Sequence, residues 1–220
     1  MMTRRAHALS PLVIVALLAC PALFLAGCLG ALRQDEPPKS FYVLDAAPPA
    51  ASLASPALEG SLLVREVRVA PPFNTRDLTY RLGPSSYATD YYHLFLAQPG
   101  ELVTQQVRSW LGKAGLFRHV ALPGSGLPHD FVLEGLVTEL YGDFTDGQGK
   151  AVVAAQFFLL DERTPGRRVL LSSERRLEAD LPENSPMGLV AAMNRALTGI
   201  LQALAADIQA LSARGEAGLP

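Results

Sequence analysis

The chain is poor in cysteine: it has only Cys20 and Cys28 in 220 residues, both close to the N-terminus. The residues that follow therefore contain no disulfide and no cysteine-based metal cluster. Runs of basic residues are also missing, which argues against nucleic-acid binding because phosphate contacts need grouped lysines and arginines. The sequence has no glycine-rich phosphate loop and no Gly-x-Ser-x-Gly motif, so it carries no signature of nucleotide hydrolysis or of an α/β-hydrolase.

The first 28 residues have the order of a secretory signal: positive charge, an apolar run and then small residues. Arg4 and Arg5 precede the run from Leu12 to Phe24. This run of about 13 residues is shorter than the ~20 residues that a membrane-spanning helix needs. The following Leu25-Ala26-Gly27-Cys28 resembles a bacterial lipobox. That resemblance implies cleavage before Cys28, which then carries a diacylglycerol thioether and an amide-linked acyl chain such as palmitate.

Two alternatives remain for this segment: a cleaved signal with a chance cysteine, and an uncleaved membrane helix. Cys20 lies inside the apolar run and is interpreted as an apolar filler. Several buried acyl chains hold a protein stably on a bilayer, whereas one chain holds it only marginally. In enterobacterial lipoproteins an aspartate after the lipidated cysteine retains the protein in the inner membrane. Leu29 at that position therefore favours the periplasmic face of the outer membrane in a Gram-negative cell.

The composition predicts three parts: a signal over residues 1–27, a lipidated tether over 28–60 and a single domain over 61–215. The tether contains a first short strand at Phe41-Tyr42-Val43-Leu44 and an Ala/Pro-rich segment over 46–57, interpreted as a flexible loop. Loss of Arg4 and Arg5 leaves 17 basic against 21 acidic residues, a mild net charge of −4. A chain of this size buries a substantial core without needing disulfide bonds or metal ions.

Hydrophobic periodicity predicts an α+β fold in which a mainly antiparallel curved sheet packs in two layers against two amphipathic helices. One helix begins at Pro99 and ends at Gly115, and the other begins at Pro186 and ends near Gly215. The second helix has one apolar stripe, formed by Leu189, Met193, Leu197, Ile200, Leu204, Ile208 and Leu211. Strands are predicted over 62–69, 78–82, 87–96, 117–122, 131–138, 151–160 and 169–177, and the last three form an antiparallel meander.

Residues with catalytic or metal-binding chemistry are few, and the sequence predicts neither an enzyme nor a cofactor or metal site. His93, His119 and His129 are the histidines after the signal, and His129-Asp130 is the one pair with the residue types of a hydrolase dyad. The stretch Asp143 to Gly147 has two carboxylates but lacks the further oxygen ligands of a calcium loop. It is interpreted as a hairpin turn.

Binding residues are harder to separate from structural ones. Tyr87, Tyr91, Tyr92 and Phe95 are either a partner surface or ordinary sheet residues, and the second interpretation is favoured. Trp110 lies on the apolar face of its helix and is assigned to the core. Two arginines, Arg76 and Arg81, are either anchors for a carboxylate or an anionic lipid head, or solvated charges at strand ends.

The order of these motifs resembles the ABC-type transport auxiliary lipoproteins, the PqiC/YmbA-like group, over essentially the whole mature chain. The family's aromatic-Tyr-x-Leu strand matches residues 41–44, and its Val-x-Val-x-Pro strand matches Val67-Arg68-Val69-Ala70-Pro71. Three further motifs match in order: Leu78-Thr79-Tyr80-Arg81, Tyr91-Tyr92-His93 and Gln98-Pro99-Gly100. The loop Phe73-Asn74-Thr75-Arg76 departs from the family's usual Tyr-Leu-Asp-Arg, so its partner chemistry is open.

The resemblance implies a non-enzymatic accessory lipoprotein of an ABC transport system for lipids whose partner is an MCE-domain protein. It leaves self-association into a homo-oligomer open. A chaperone or plug for an outer-membrane barrel, as in lipopolysaccharide export, is the alternative, and an anchored hydrolase using His129 is a disfavoured third hypothesis.

Overall fold

The computed structural model describes residues 36–163 and 165–214. The chain divides into two units, Met1–Pro38 and Lys39–Pro220, and every helix and strand below belongs to the second. The predicted signal, the lipobox with Cys28 and Gly215 lie outside the described residues.

Three long strands form the framework of the sheet: β7 (Phe131–Asp143), β8 (Lys150–Asp161) and β9 (Arg168–Asp180). They pair antiparallel in sequence order, which confirms the predicted meander. The connection between β7 and β8 turns at Gly147, whose φ of 79° suits a residue without a Cβ atom. Residues 151–155 of β8 are buried on both faces of the sheet, as their continuous apolar run predicts.

Short strands pair with the free edge of β7 one after another. These are β2 (Leu58–Val64), β3 (Arg68–Val69) and β4 (Asp77–Gly83), and all three run parallel to β7. The strand predicted over 62–69 is therefore two strands. The chain leaves β7 after Val64 and rejoins it at Arg68, and a 3-10 turn at Pro71–Phe73 follows.

Three further strands complete a mixed sheet of nine strands. β5 (Ser86–Phe95) forms an antiparallel hairpin with β4, and β1 (Ser40–Tyr42) adds to β5 in parallel. β6 (Phe117–Ala121) pairs in parallel with β2. The α+β class is confirmed. The sheet is mixed because it contains both kinds of pairing. Strands that follow one another in sequence, such as β7 and β8, pair antiparallel, whereas strands far apart in sequence, such as β2 and β7, pair in parallel.

Both predicted helices are present. α1 (Pro99–Ala114) starts with proline and ends at Gly115, whose left-handed φ of 68° closes it. α2 (Pro186–Ala213) is capped by Ser185, whose hydroxyl accepts a hydrogen bond from the Gly188 N–H at 3.0 Å. The proline at each helix start, together with Ser185 at α2, explains why both starts could be predicted from the sequence.

The two helices bury one face of the sheet, here called the inner face. All seven residues of the predicted α2 stripe are at most 4% exposed. α2 is long and apolar enough to cross a membrane by length and composition, but 56% of its most apolar window is buried in the fold. Its packing on β8 and β9 identifies it as the principal core helix.

The Ala/Pro-rich segment has no helix or strand, yet hydrogen bonds attach it to both helices. The Ala47 carbonyl accepts from Trp110 Nε1 at 2.9 Å, and the Ala47 N–H donates to Thr198 Oγ1. The Leu53 N–H donates to the carbonyl of Ala114 at 3.0 Å. The compact unit begins at Lys39 and includes β1.

Candidate functional site

A groove of about 1110 Å³ lies between the polar side of α1 and the outward-facing residues of β7 and β8. Its walls come from α1, from the link between β2 and β3, and from β7 and β8. Leu136 and Phe158 contribute apolar surface, while Arg65, Arg68 and Arg108 contribute cationic groups. We call this feature the α1 groove.

The groove exists because β2 leaves the edge of β7 before β3 joins it. In that gap the Val67 N–H donates to Thr104 Oγ1 of α1 at 2.8 Å, so the helix takes the place of a strand. Gly100 allows the close approach: a Cβ there would lie 2.7 Å from the Val67 carbonyl oxygen. The link and the first turns of α1 are therefore held in fixed contact.

Charge in the α1 groove is balanced. Three arginines face three glutamates, and Arg65 pairs with Glu134 across the strands. By contrast, Arg108 has a buried Nε atom with no hydrogen-bond partner among the described residues. A buried N–H without a partner costs free energy.

The described lining of the α1 groove lacks the residue types of a common nucleophile–base pair. None of its described lining residues is cysteine, histidine or serine. The Thr104 hydroxyl donates to the Gly100 carbonyl at 2.6 Å and accepts from Val67, so it is already engaged. The groove thus offers apolar surface and guanidinium donors, without a nucleophile paired to a base.

A second polar cluster surrounds Asp90 at a bulge of β5. Its carboxylate accepts from the Tyr80 hydroxyl at 2.9 Å, from the Tyr92 and His93 N–H groups, and lies 2.8 Å from His93 Nδ1. Burial raises the pKa of Asp90, but these hydrogen bonds outweigh it and the net pKa is lowered. Burial, together with the bond to Asp90, raises the pKa of Tyr80 above its ordinary value. The adjacent β4 residues Asp77 and Leu78 pair with Leu94 and Asp90, so three residues of β5 bulge out between the two pairs, and the cluster holds this bulge in place.

Ion pairs cover the outer face next to the C-terminal half of β7. Arg176 Nε lies 2.7 Å from Glu139 and its Nη1 lies 2.6 Å from Glu178. The Glu178 contact is the main cause of a raised pKa of Arg176, and Tyr141 contributes to it. On the neighbouring strand, Arg81 lies 3.3 Å from Asp143.

An exposed apolar patch lies at the β1 edge of the sheet, and we call it the edge patch. It consists of four residues that are each about half exposed or more: Phe41 (51%), Val43 (47%), Tyr91 (61%) and Leu96 (57%). Two cations accompany it. Lys39 Nζ lies 3.8 Å from the centre of the Tyr91 ring, and the Arg76 guanidinium lies 5.6 Å from that of Phe41.

The structure separates His129 and Asp130 into different contacts. His129 Nε2 lies 3.2 Å from Glu162, whereas the Asp130 carboxylate accepts from the Ser61 N–H at 2.8 Å. Asp130 therefore fixes the start of β7 against β2. The two adjacent residues do not form a dyad of the kind that a hydrolase needs.

Asp143 has a local structural role. Its Oδ1 atom accepts from both the N–H and the hydroxyl of Thr145, at 3.0 and 2.7 Å, which is an Asx turn. Within residues 36–163 and 165–214, no group of three or more His, Cys, Asp or Glu side chains is arranged to hold a metal ion.

The aromatic residues of β5 divide into two groups. Phe95 is 2% exposed and belongs to the core, and Tyr87 packs edge-on against the buried Tyr141. Tyr87 is nevertheless 48% exposed, and Tyr91, which contacts Tyr92 edge-on, is 61% exposed. The sheet interpretation is thus confirmed for Phe95, whereas Tyr91 remains a surface candidate.

Three other residues discussed from the sequence have defined partners. Trp110 is 5% exposed, which confirms its place in the core. Arg76 Nε donates to the Phe95 carbonyl at 2.9 Å, and Arg81 pairs with Asp143. Both arginines therefore hold strand ends together, and Arg76 also borders the edge patch.

With this geometry in place, the family can be assigned. The family model of the ABC-type transport auxiliary lipoprotein component matches residues 42–207. The chain belongs to that family. The match runs from β1 into the last turns of α2, so it covers the sheet, both helices and the α1 groove. None of the curated proteins matches the chain.

Solved structures support the same fold at low sequence identity. A Xanthomonas campestris protein has a TM-score of 0.68 and 16% identity, covering 82% of this chain and 100% of its own. A second crystal structure, of an uncharacterised protein, has a TM-score of 0.63 and 17% identity and covers 78% of this chain and 99% of its own. These similarities show the fold alone.

Proposed function

We propose that this auxiliary lipoprotein is a non-enzymatic accessory subunit of an ABC-type lipid transport system, anchored through Cys28 to the periplasmic face of the outer membrane. The observation that carries the proposal is the family match over residues 42–207. The partner we propose is an MCE-domain protein of that transporter.

The lipid anchor rests on the N-terminal sequence. The Leu25-Ala26-Gly27-Cys28 motif follows an apolar run too short to span a bilayer. Leu29 replaces the aspartate that retains enterobacterial lipoproteins in the inner membrane. These residues support lipidation at Cys28 and transfer to the outer membrane.

Two features of the folded unit support a binding role. The α1 groove combines apolar surface with guanidinium donors, and the lining includes an Arg108 Nε atom that has no partner among the described residues. The titratable residues that the sequence offered for catalysis, His129 and Asp130, are engaged in separate contacts. The α1 groove is therefore our candidate surface for the transporter partner.

Recovery of partners from solubilised membranes tests the proposal. The lipidated protein, purified through a C-terminal tag, should bring down an MCE-domain protein. Recovery of an outer-membrane barrel instead would support the chaperone or plug hypothesis and contradict ours. Fractionation of a Leu29→Asp variant checks the location, since we expect it to move from the outer to the inner membrane.

A pair of variants on one helix tests the α1 groove. Arg108→Glu reverses a charge that lines the groove, whereas Lys113→Glu reverses an exposed charge in the last turn of α1. We expect Arg108→Glu to reduce partner recovery and Lys113→Glu to leave it unchanged. Equal recovery with both variants would exclude the groove as the contact surface.

A further inference from the structure

We infer that the edge patch is a membrane-contact surface, on which Phe41, Val43, Tyr91 and Leu96 enter the headgroup region of the bilayer that carries the anchor. The inference rests on the proposed lipidation of Cys28. It adds which face of the folded unit meets the lipid, which neither the family nor the fold specifies.

The strand pairing places the Phe41 side chain on the outward face of the sheet edge. β1 runs parallel to β5 with Phe41 opposite Leu94, and paired residues of neighbouring strands point to the same side. The next positions, Tyr42 and Phe95, turn towards the core, where Phe95 is 2% exposed. Phe41 is therefore turned outward by the same alternation that buries its neighbour.

The patch is composed like a membrane interface. Aromatic rings and basic side chains are both favoured at the level of the lipid headgroups, with the cation directed towards water or phosphate. Lys39 and Arg76 lie over the rings of Tyr91 and Phe41, so each cation is held beside an exposed aromatic residue. Anionic headgroups would add an attraction that other apolar ligands lack.

The edge patch also lies close in sequence to the proposed anchor. Only ten residues separate Cys28 from Lys39, so even a fully extended chain would span about 40 Å. The edge patch begins at Phe41, two residues after Lys39, where the folded unit begins.

Tryptophan fluorescence in vesicles tests the inference with the full lipidated protein. We would compare Phe41→Trp with Val169→Trp, which replaces an equally exposed apolar residue at the start of β9. The vesicles contain phosphatidylethanolamine and phosphatidylglycerol, and the phosphatidylethanolamine has brominated acyl chains. Trp110 is buried and bonded to Ala47, so it provides a constant background.

The expected result is that Phe41→Trp emission shifts to shorter wavelength and is quenched by the brominated lipid, while Val169→Trp emission is unchanged. Unquenched Phe41→Trp in protein that mass spectrometry shows to be lipidated would overturn the inference and leave the anchor intact. Absence of lipid on the N-terminal peptide would overturn both.

A second copy of the chain is the alternative occupant of the edge patch, and it must be distinguished from lipid. Sedimentation of the Cys28→Ser protein in buffer, with and without Phe41→Ser, makes this distinction. An oligomer that Phe41→Ser converts into monomers would assign the edge patch to a second copy of the chain and overturn the membrane assignment. A monomer in both cases, together with lipid quenching of Phe41→Trp, supports it.

Discussion

The two faces of the sheet are built on opposite principles. The inner face is an apolar layer packed against α2: Leu133 and Val153 of the sheet and Ile200 of the helix are at most 1% exposed. The outer face carries the Arg176 ion pairs with Glu139 and Glu178, together with the α1 groove. Burial of apolar area is worth roughly 25 cal/mol per Å², whereas exposed ion pairs contribute less than about 1 kcal/mol each. Most of the core cluster thus lies on the inner face, whereas the ion pairs of Arg176 lie on the outer face.

This division explains how the fold persists at low sequence identity. The Xanthomonas campestris structure retains the fold with a TM-score of 0.68 at 16% identity. Cores accept many apolar substitutions when volume and pattern are kept. Substitutions that keep the volume and the apolar pattern of the inner face are therefore compatible with this fold.

The largest change in the free energy of unfolding is expected from a substitution in the core between α2 and the inner face. Ile200→Ala removes a fully buried side chain from the α2 stripe and should lower the free energy of unfolding by about 2–5 kcal/mol. Urea denaturation measures it. The control is Met187→Ala on the same helix, at a residue that is 63% exposed and should change little. Similar losses for the two variants would contradict the assignment of α2 as the core helix.

The next largest effect on stability is expected at the contact between α1 and the β2–β3 link. Replacing two glycines of α1 by alanine should change the free energy of unfolding in opposite directions. Gly100→Ala places a Cβ 2.7 Å from the Val67 carbonyl oxygen, so the backbone must shift, at a cost of about 1–3 kcal/mol. Gly112→Ala meets only Val120 Cγ2 at 4.0 Å and should stabilise the helix by about 0.5–1 kcal/mol. Thermal unfolding distinguishes them, and stabilisation by Gly100→Ala would disprove the close approach.

Local patterns predicted the inner face well. The α2 stripe follows from residues spaced three and four apart, and its start follows from Ser185 and Pro186. The long antiparallel strands follow from apolar runs separated by short turns. These features depend on neighbours in sequence, so a single sequence contains the information that specifies them.

The outer face could not be predicted in the same way. The α1 groove depends on where β2 leaves β7, and parallel pairing between distant segments leaves no periodic signal. The bulge at Asp90 breaks the alternation of β5, so the sequence could not separate the exposed Tyr91 from the buried Phe95. A carboxylate three residues before a histidine, as in Asp90 and His93, was the one available sign of that cluster.

The Asp90 cluster should make stability depend on acid pH. The folded-state pKa of Asp90 lies below its ordinary value. Its contribution to the free energy of unfolding is therefore complete above pH ~4 and is lost as pH falls through the folded-state pKa. Asp90→Asn removes the charged acceptor for Tyr80 and His93 and should cost about 1–2 kcal/mol at neutral pH. Urea unfolding of both proteins from pH 7 to pH 3 should show the difference shrinking. A constant difference would exclude the charge of Asp90 as its cause.

The smallest effect is expected on the outer face, at Arg176. Its side chain is 45% exposed, so the ion pairs with Glu139 and Glu178 are weakened by solvent, and Arg176→Ala should cost less than about 1 kcal/mol. Added salt should reduce even this difference, since exposed charges are screened within about 10 Å at 0.1 M salt. Urea unfolding at low and high salt measures both effects. A loss as large as that of Ile200→Ala would mean that the outer face also determines stability, and the contrast between the two faces would fail.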